Sequence, residues 1–99
     1  MTSSPSAAVL VLNYNGIDHL QTCLPTLERM DYSNAQLVVV DNGSRDGSAD
    51  YVRSHHPAVR VIELERNRGF TGAYNAAIAA VSAEWVALLN NDTRVDPAW

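Results

Sequence analysis

The sequence lacks several features that would place it in other classes of protein. A single cysteine in 99 residues, Cys23, excludes an internal disulfide. The amino terminus has no basic region and the apolar runs are far too short to cross a bilayer, so we expect neither a signal peptide nor a membrane helix. A net charge of −4 argues against nucleic acid as a partner, because binding along a phosphate backbone requires a basic face. We therefore expect a cytoplasmic protein, in a setting that could include the cytoplasmic face of a membrane.

Length and composition predict a small folded domain. At 99 residues the chain holds one domain at most, and an apolar fraction of 46% with 18% charged residues is typical of a globular protein. Residues 1–6 are small and polar, which predicts a flexible tail before a domain over residues 7–99. Cys23 falls on an apolar helical stripe and is interpreted as an inert core thiol. Trp85 and Trp99 are most simply interpreted as core or capping aromatics.

Short apolar runs alternate with helix-like segments along the chain. The runs cover residues 7–12, 36–40, 59–64 and 85–89. Helical spacing predicts helices over residues 17–30 and 71–81, with Pro25 bending or ending the first one. Between them, Asp46-Gly47-Ser48 offer capping side chains before a short helix that runs to about residue 55. The alternation predicts an α/β fold, a parallel sheet of about four strands with three flanking helices. Residues 96–99 resemble the start of a helix without its body, so we expect the first half of a larger domain.

Each predicted strand is followed by a polar cluster rich in amides, carboxylates or glycine. The clusters are Asn13-Tyr14-Asn15-Gly16, Asp41-Asn42-Gly43-Ser44, Asn67-Arg68-Gly69 and Asn90-Asn91-Asp92-Thr93. The carboxyl ends of parallel strands face the same rim of the sheet, which is where open α/β folds bind ligands. The convergence of these clusters predicts a site for a nucleotide diphosphate and its metal ion.

Two of the clusters carry carboxylates, and each also has a simpler interpretation. Asp41 can accept charge-assisted hydrogen bonds from a pyrimidine base or from ribose hydroxyls, or it can merely close a turn or cap a helix. Asp92, together with Asn90 and Asn91, can complete the oxygen shell of Mg²⁺ beside a diphosphate. Otherwise this segment is an ordinary turn after a strand.

The segment from Asn67 to Asn75 opens the third predicted helix with two glycines. A helix amino terminus favours phosphate groups and glycine lets a ligand approach the backbone, although such glycines are also typical of a tight turn. No G-x-G-x-x-G fingerprint follows any strand, and no phosphate loop ends in Gly-Lys-Ser/Thr. These absences argue against a dehydrogenase and against a nucleotidyltransferase.

Taken in order, the motifs resemble the family 2 glycosyltransferases of the GT-A fold. The resemblance rests on residues 11–16, on Val39 to Ser48, on Asn67-x-Gly69 with Ala73-x-Asn75, and on residues 88–92. It covers the chain after the tail and implies a Rossmann-like, three-layer GT-A sheet, truncated to its nucleotide-binding half. The amide-rich last motif is similar to that of the bacterial rhamnosyltransferase-like subgroup.

The resemblance implies a role for each cluster. The residues implied to bind the nucleotide sugar are Asn13, Tyr14, Asn15, Asp41, Asn42, Gly43, Ser44, Asn67, Gly69, Asn75, Asn90 and Asn91. Within this set, Asp41 would hold the base or ribose. Asp92, at the last position of the family's Asp-x-Asp motif, would contact Mg²⁺ or Mn²⁺. The first position of that motif is Asn90, which leaves one carboxylate and predicts a lower metal affinity.

The implied reaction moves a sugar from a UDP- or dTDP-sugar to an acceptor hydroxyl, with inversion at the anomeric carbon. The acceptor would be a glycan or a lipid-linked molecule, as in bacterial cell wall or polysaccharide biosynthesis. The resemblance puts the general base and the acceptor site beyond Trp99, so no catalytic residue is assigned and the chain alone is expected to be inactive. The alternative is a non-catalytic nucleotide-binding or regulatory module of the same fold. An exposed sheet edge also predicts that the chain could form a homo-oligomer.

Overall fold

Four strands and three helices alternate in the computed structural model, which describes residues 6–29 and 35–91. The strands are β1 (Ala7–Asn13), β2 (Ala35–Asp41), β3 (Arg60–Glu63) and β4 (Trp85–Asn90). The helices are α1 (Ile17–Glu28), α2 (Ser48–His55) and α3 (Gly69–Ala80). The predicted order of elements is confirmed, and boundaries differ from the predicted ones by at most two residues, as at α3, which begins two residues before the predicted start at residue 71.

The four strands form one parallel sheet in the order β3-β2-β1-β4. The register pairs Asn13 with Asp41 and Leu12 with Asn90, so the carboxyl ends of β1, β2 and β4 lie level with one another. The order reverses between β1 and β4, because the chain builds outward to β3 and then crosses back. In open α/β sheets a ligand binds in the crevice at such a reversal.

The helices cover the two faces of the sheet, which confirms the three-layer α/β architecture. On one face, Val9 and Val11 of β1 pack with the buried residues of α1 and with Val52 of α2. On the other face, Ala8 and Leu10 of β1 pack against α3. Successive side chains of a strand point to opposite faces of the sheet, so a strand that is buried on both faces has a continuous apolar sequence. The sequence of β1 is of this kind.

Helix α1 does not end at Pro25. It continues to Glu28, because Leu24 and Leu27 on either side of the proline are buried against the sheet. Burying two leucines contributes about 4 kcal/mol, which offsets the roughly 3 kcal/mol that an internal proline costs a helix. Cys23 is fully buried on the same stripe, as predicted. The helix was predicted to reach Met30; it ends at Glu28 with Arg29 as its carboxyl-terminal cap, and Met30 lies outside the described residues.

The β4 edge of the sheet is less covered than the centre. Trp85 is 65% exposed, so the core role, one of the two predicted for it, is wrong, and Val86 and Leu88 are also exposed. Strand β4 has a hydrogen-bonded neighbour on one side only within the described chain, and α3 covers the adjoining face over β1 and β2. Ser6 fixes the start of this strand, since its carbonyl accepts a hydrogen bond from the Trp85 N–H at 3.1 Å. No helix among residues 6–29 and 35–91 is long and apolar enough to cross a membrane.

Candidate functional site

The sheet brings three of the predicted polar clusters together at one rim. The backbone ladder continues past the strand ends, where the Asn42 N–H donates to the Asn13 carbonyl and the Leu64 N–H donates to the Asp41 carbonyl, each at 2.8 Å. The loops after β1, β2 and β3 therefore leave the sheet side by side. Convergence at the carboxyl ends of the strands is confirmed for these loops.

Asp41 lies at the end of β2 and is 1% exposed. Its Oδ1 accepts a hydrogen bond from Asn13 Nδ2 at 3.1 Å, and its Oδ2 accepts one from the Ser44 N–H at 3.2 Å. Within the chain, Asp41 thus closes the turn to Ser44, which is the simpler of the two interpretations given by the sequence. Each carboxylate oxygen has a second lone pair, which can accept one more hydrogen bond from a ligand.

The loops after β1 and β2 are joined by reciprocal hydrogen bonds. The Asn15 N–H donates to Ser44 Oγ at 2.8 Å, and the Arg45 N–H donates to Asn15 Oδ1 at 2.8 Å. Asn15 reaches this position with a φ of 50°, in the left-handed region that asparagine tolerates better than most residues. Tyr14, next to it, is 50% exposed and leaves an aromatic ring available at the rim.

Asn42 joins the second loop to the third. Its Oδ1 accepts a hydrogen bond from the Arg68 N–H at 2.8 Å, and its Nδ2 donates to Asn67 Oδ1 at 3.2 Å. Asn67 Oδ1 also accepts the Gly69 N–H at 2.7 Å, which fixes the amino terminus of α3. Asn42 is 3% exposed, so its amide is used inside the protein.

Gly43 is required where these two loops approach each other. Its φ is 81°, and a Cβ at this position would lie 2.5–2.7 Å from backbone atoms of Arg66 and Asn67. Any side chain would push the third loop away from the second. The glycine at position 43 therefore has a structural reason that is independent of a ligand.

Asp46 makes a connection that the sequence does not reveal. It was expected only to cap α2, and its Oδ1 does accept the Ser48 N–H at 3.0 Å as well as the Ser48 hydroxyl. Its Oδ2 also accepts the Ile17 N–H at 3.1 Å, at the start of α1. Burial raises the pKa of Asp46, but these hydrogen bonds outweigh it and hold the pKa below its usual value. One carboxylate thus faces the amino termini of two helices, where negative charge is favoured.

Of the remaining predicted residues, one contacts this network, two are exposed away from it, and one lies outside the described chain. Asn75 is exposed in the middle of α3, and Asn90 is exposed at the end of β4. Asn91 is half-buried and donates from Nδ2 to Asn13 Oδ1 at 2.7 Å. Asp92, the predicted metal ligand, lies outside the described residues.

Two aromatic residues beside the rim were missed by the sequence analysis. The Tyr74 hydroxyl reaches from α3 to β4 and donates to the Leu89 carbonyl at 2.7 Å. Burial raises the pKa of Tyr74, and a hydrogen bond with the Leu12 backbone offsets only part of that effect. Phe70 contacts Tyr74 edge-to-face with ring centroids 4.8 Å apart, and is itself 58% exposed. The signal that could have found them is their spacing of four residues on one helix, which brings side chains together.

The described residues offer oxygen donors rather than a complete metal site. Among residues 6–29 and 35–91, no group of three histidine, cysteine, aspartate or glutamate side chains could hold a metal ion. The amide oxygens at the end of β4 are hard donors, of the kind that Mg²⁺ and Mn²⁺ take. Asp41 is poorly suited to be a ligand, because it is buried and both of its oxygens already accept hydrogen bonds.

Relatives of known sequence match the chain over nearly its whole length. The succinoglycan biosynthesis protein ExoO of Rhizobium meliloti is 35% identical over 94 residues, which cover 94% of this chain and 27% of ExoO. The poly-beta-1,6-N-acetyl-D-glucosamine synthase of Staphylococcus epidermidis is 30% identical over 88% of this chain and 22% of that protein. The chain thus spans about a quarter of the length of these curated relatives.

Solved structures match the fold equally well. The mannosyltransferase PcManGT from Pyrobaculum calidifontis, in complex with GDP-Man and Mn²⁺, gives a TM-score of 0.82 at 30% identity over 92% of this chain and 28% of its own. S. aureus TarS in complex with UDP-GlcNAc gives a TM-score of 0.83 at 25% identity over 93% of this chain and 28% of its own. A family model described as glycosyl transferase family 2 matches residues 8–99. The chain therefore belongs to the family 2 glycosyltransferases and has their GT-A fold.

Proposed function

We propose that this chain binds a nucleoside-diphosphate sugar at the rim and forms the donor-binding part of a sugar-transferring enzyme. The observation that carries the proposal is the joined set of loops beside the β1/β4 reversal, where Asn13, Asp41 and Asn42 are buried and hydrogen-bonded. Solved neighbours of the same fold in complexes with UDP, UDP-GlcNAc and GDP-Man support it. UDP and dTDP are the nucleotides that we propose for this chain.

The exposed residues of the rim would contact the nucleotide, and the buried amides would position the loops that carry them. Tyr14 offers an aromatic face on which a base can stack, and the loop residues Ser44 and Asn67 offer polar groups beside it. The buried amides hold these loops in place before the ligand arrives, which reduces the entropy that binding must otherwise overcome. Asp41 would accept hydrogen bonds from the base or ribose through its remaining lone pairs.

Asp92, with Asn90 and Asn91, would hold Mg²⁺ or Mn²⁺ next to the diphosphate. The oxygen-rich donor set suits these hard cations, and the Mn²⁺ complex of PcManGT supports a divalent ion in this family. When bound, such an ion stabilises the negative charge that develops on a departing diphosphate. The residues of this chain would orient the diphosphate and the sugar, and no residue of it is assigned as the general base.

A calorimetric titration of the 99-residue chain tests this proposal. UDP, dTDP and GDP are titrated with and without Mn²⁺ into the wild type and into three variants. Asp92→Ala is expected to abolish the gain in affinity that Mn²⁺ gives. Tyr14→Ala, at an exposed position, is expected to weaken binding about tenfold or more whether or not Mn²⁺ is present, through lost stacking.

Asp50→Ala is the matched control. The Asp50 side chain is 88% exposed in the first turn of α2 and pairs only loosely with Arg53, at 3.5 Å. This variant is expected to bind like the wild type. If none of the three nucleotides binds, the proposed function is wrong, and if Asp92→Ala keeps the full Mn²⁺ effect, the metal assignment is wrong. We also expect no sugar transfer by this chain alone. Turnover of a UDP-sugar in the presence of acceptor would contradict the proposal that the chain binds the donor without supplying the general base.

A further inference from the structure

Asn13 lies beneath the rim and its single amide connects three loops. The residue is fully buried, and its Nδ2 donates to Asp41 Oδ1 at 3.1 Å and to Ser44 Oγ at 3.3 Å. Its Oδ1 accepts a hydrogen bond from Asn91 Nδ2 at 2.7 Å. The ends of β1, β2 and β4 are therefore joined through one side chain that has no surface of its own to offer a ligand.

The direction of these hydrogen bonds is set by Asp41. An ionised carboxylate only accepts, so the NH₂ end of Asn13 faces Asp41 and its oxygen end faces Asn91. Asn91 must then turn its own NH₂ toward Asn13. The carbonyl oxygen is consequently the end of the Asn91 amide that is left for a ligand, and an amide oxygen attracts a cation or a hydroxyl donor whereas an NH₂ group repels a cation.

We propose that Asn13 is a positioning residue that couples the Asp41 loop to the end of β4 and presents the oxygen of Asn91 to the diphosphate side of the site. This inference rests on the proposed binding of a nucleotide sugar. It replaces the expectation that Asn13 lines the pocket, because Asn13 is fully buried and both N–H groups of its amide already donate within the chain, to Asp41 and to Ser44. It also assigns Asn91 an orientation that its own sequence motif does not specify.

Gly16 makes the contact between Asn13 and Asn91 possible. A Cβ on Gly16 would lie 2.1 Å from Asn91 Nδ2 and 2.8 Å from Asn13 Oδ1. The φ of Gly16 is −120°, so the residue is outside the left-handed region in which a side chain is strained. The larger overlap is with the end of the Asn91 side chain and the smaller one is with the Asn13 oxygen, so the substitution separates these two groups, and it adds or removes no polar group at the site.

Gly16→Ala therefore tests the coupling without removing any side chain of the proposed site. UDP is titrated by calorimetry with and without Mn²⁺, into the wild type and the variant. Loss of one positioned hydrogen bond is expected to weaken UDP binding in Mn²⁺ about threefold to tenfold. Binding of UDP without metal is expected to change less than about twofold, because the loops after β1 and β2 keep their own hydrogen bonds. A merely structural weakening would lower both affinities together.

Two further variants make the result specific to Asn91. In an Asn91→Ala background, Gly16→Ala is expected to have a much smaller effect on the Mn²⁺-dependent affinity, because its larger overlap is gone and the overlap with the Asn13 oxygen remains. Gly47→Ala is the control for stability: its φ of 85° strains an alanine, but nothing lies within 4 Å of its Cβ position and it does not touch Asn91. Gly47→Ala is expected to lower stability and to leave the ratio of the two UDP affinities unchanged.

The side-chain amide signals of Asn13 and Asn91 in ¹⁵N NMR spectra supply a readout without any ligand. Gly16→Ala is expected to shift the Asn91 NH₂ signals, and Gly47→Ala is expected to leave them in place. Unshifted Asn91 signals, or equal loss of affinity with and without Mn²⁺, would overturn the coupling. A wild type that binds no UDP in either condition would instead overturn the proposed function, and this inference with it.

Discussion

The loops after β1 and β2 face the same rim as the end of β4, but the two regions are held differently. The first two loops are joined through Asn15, Ser44 and Arg45, with Asp41 buried beneath them. In the described part of the chain, one side-chain hydrogen bond, from Asn91 to Asn13, joins the end of β4 to these loops. The region proposed for the nucleoside is therefore pre-organised by several loop contacts, whereas the region proposed for the metal is joined to these loops by one side-chain hydrogen bond beyond the pairing of β4 with β1.

Burial separates the same two regions. The central strands β1 and β2 are covered by helices on both faces, and Val39 and Leu10 are fully buried. On β4, Val86 and Leu88 are 38% and 46% exposed. Since hydrophobic burial is the main term that orders a strand, substitutions at the first region should reduce the free energy of unfolding more than substitutions at the second.

The largest expected effect comes from filling the space between the second and third loops. Gly43→Ala combines a left-handed φ of 81° with a Cβ less than 3 Å from the backbone of Arg66 and Asn67, and should lower the free energy of unfolding by about 3 kcal/mol. Gly47→Ala has the same backbone strain with open space, and should lower it by about 1 kcal/mol. Urea unfolding measures the free energy of unfolding of both variants. Equal losses would mean that the close approach of the two loops adds no cost to the substitution at Gly43.

A smaller loss is expected when the charge beneath these loops is removed. Asp41→Asn keeps the shape but places an NH₂ group against either the Asn13 amide or the Ser44 N–H, both of which are donors. Urea unfolding should show a loss of about 2 kcal/mol, the range found for hydrogen bonds to charged groups. Asp50→Asn, at an exposed site, should stay within about 0.5 kcal/mol of the wild type. An unchanged free energy of unfolding in Asp41→Asn would contradict the view that hydrogen bonds to Asp41 pre-organise this region.

The smallest effect is expected on the β4 side. Tyr74→Phe removes the hydrogen bond to the Leu89 carbonyl and should lower the free energy of unfolding by about 1 kcal/mol near neutral pH. Because the pKa of Tyr74 is raised in the folded state, its contribution is present below the unfolded value of 10.0 and is lost as the pH rises through and above it. Unfolding curves on either side of pH 10 should show this loss in the wild type and a shallower one in Tyr74→Phe. Identical slopes would show that Tyr74 does not link stability to pH.

The sequence predicted most of the fold because its elements are local. Four apolar runs between helical segments specify an α/β layer structure, and each of the four strands forms where its run is. The interpretation of Pro25 as a possible helix end was wrong because the burial of Leu24 and Leu27 is a tertiary effect. The prediction of a core role for Trp85 failed for the same reason, since an aromatic residue at the start of a strand is buried only if another element covers it.

The candidate site was predicted as a set of residues but not as an arrangement. That Asn13, Asp41 and Ser44 would lie near one another followed from strand polarity, which is a property of the parallel alternation itself. Which of them would be exposed did not follow, because an amide can serve a ligand or the chain equally well. Tyr14 is exposed and Asn13 is buried, although the two are adjacent in the sequence.

The sequence by itself determined the family, the order of the elements and the rim at which its polar residues gather. Only the tertiary structure decided that Asn13 and Asn42 are internal connectors, that Asp46 faces two helix termini, and that Gly16 leaves room for Asn91. The physical reason is that periodicity and strand polarity act along the chain. Hydrogen bonds between loops, by contrast, depend on distances between residues about 30 to 80 positions apart, which are set only when the sheet has formed.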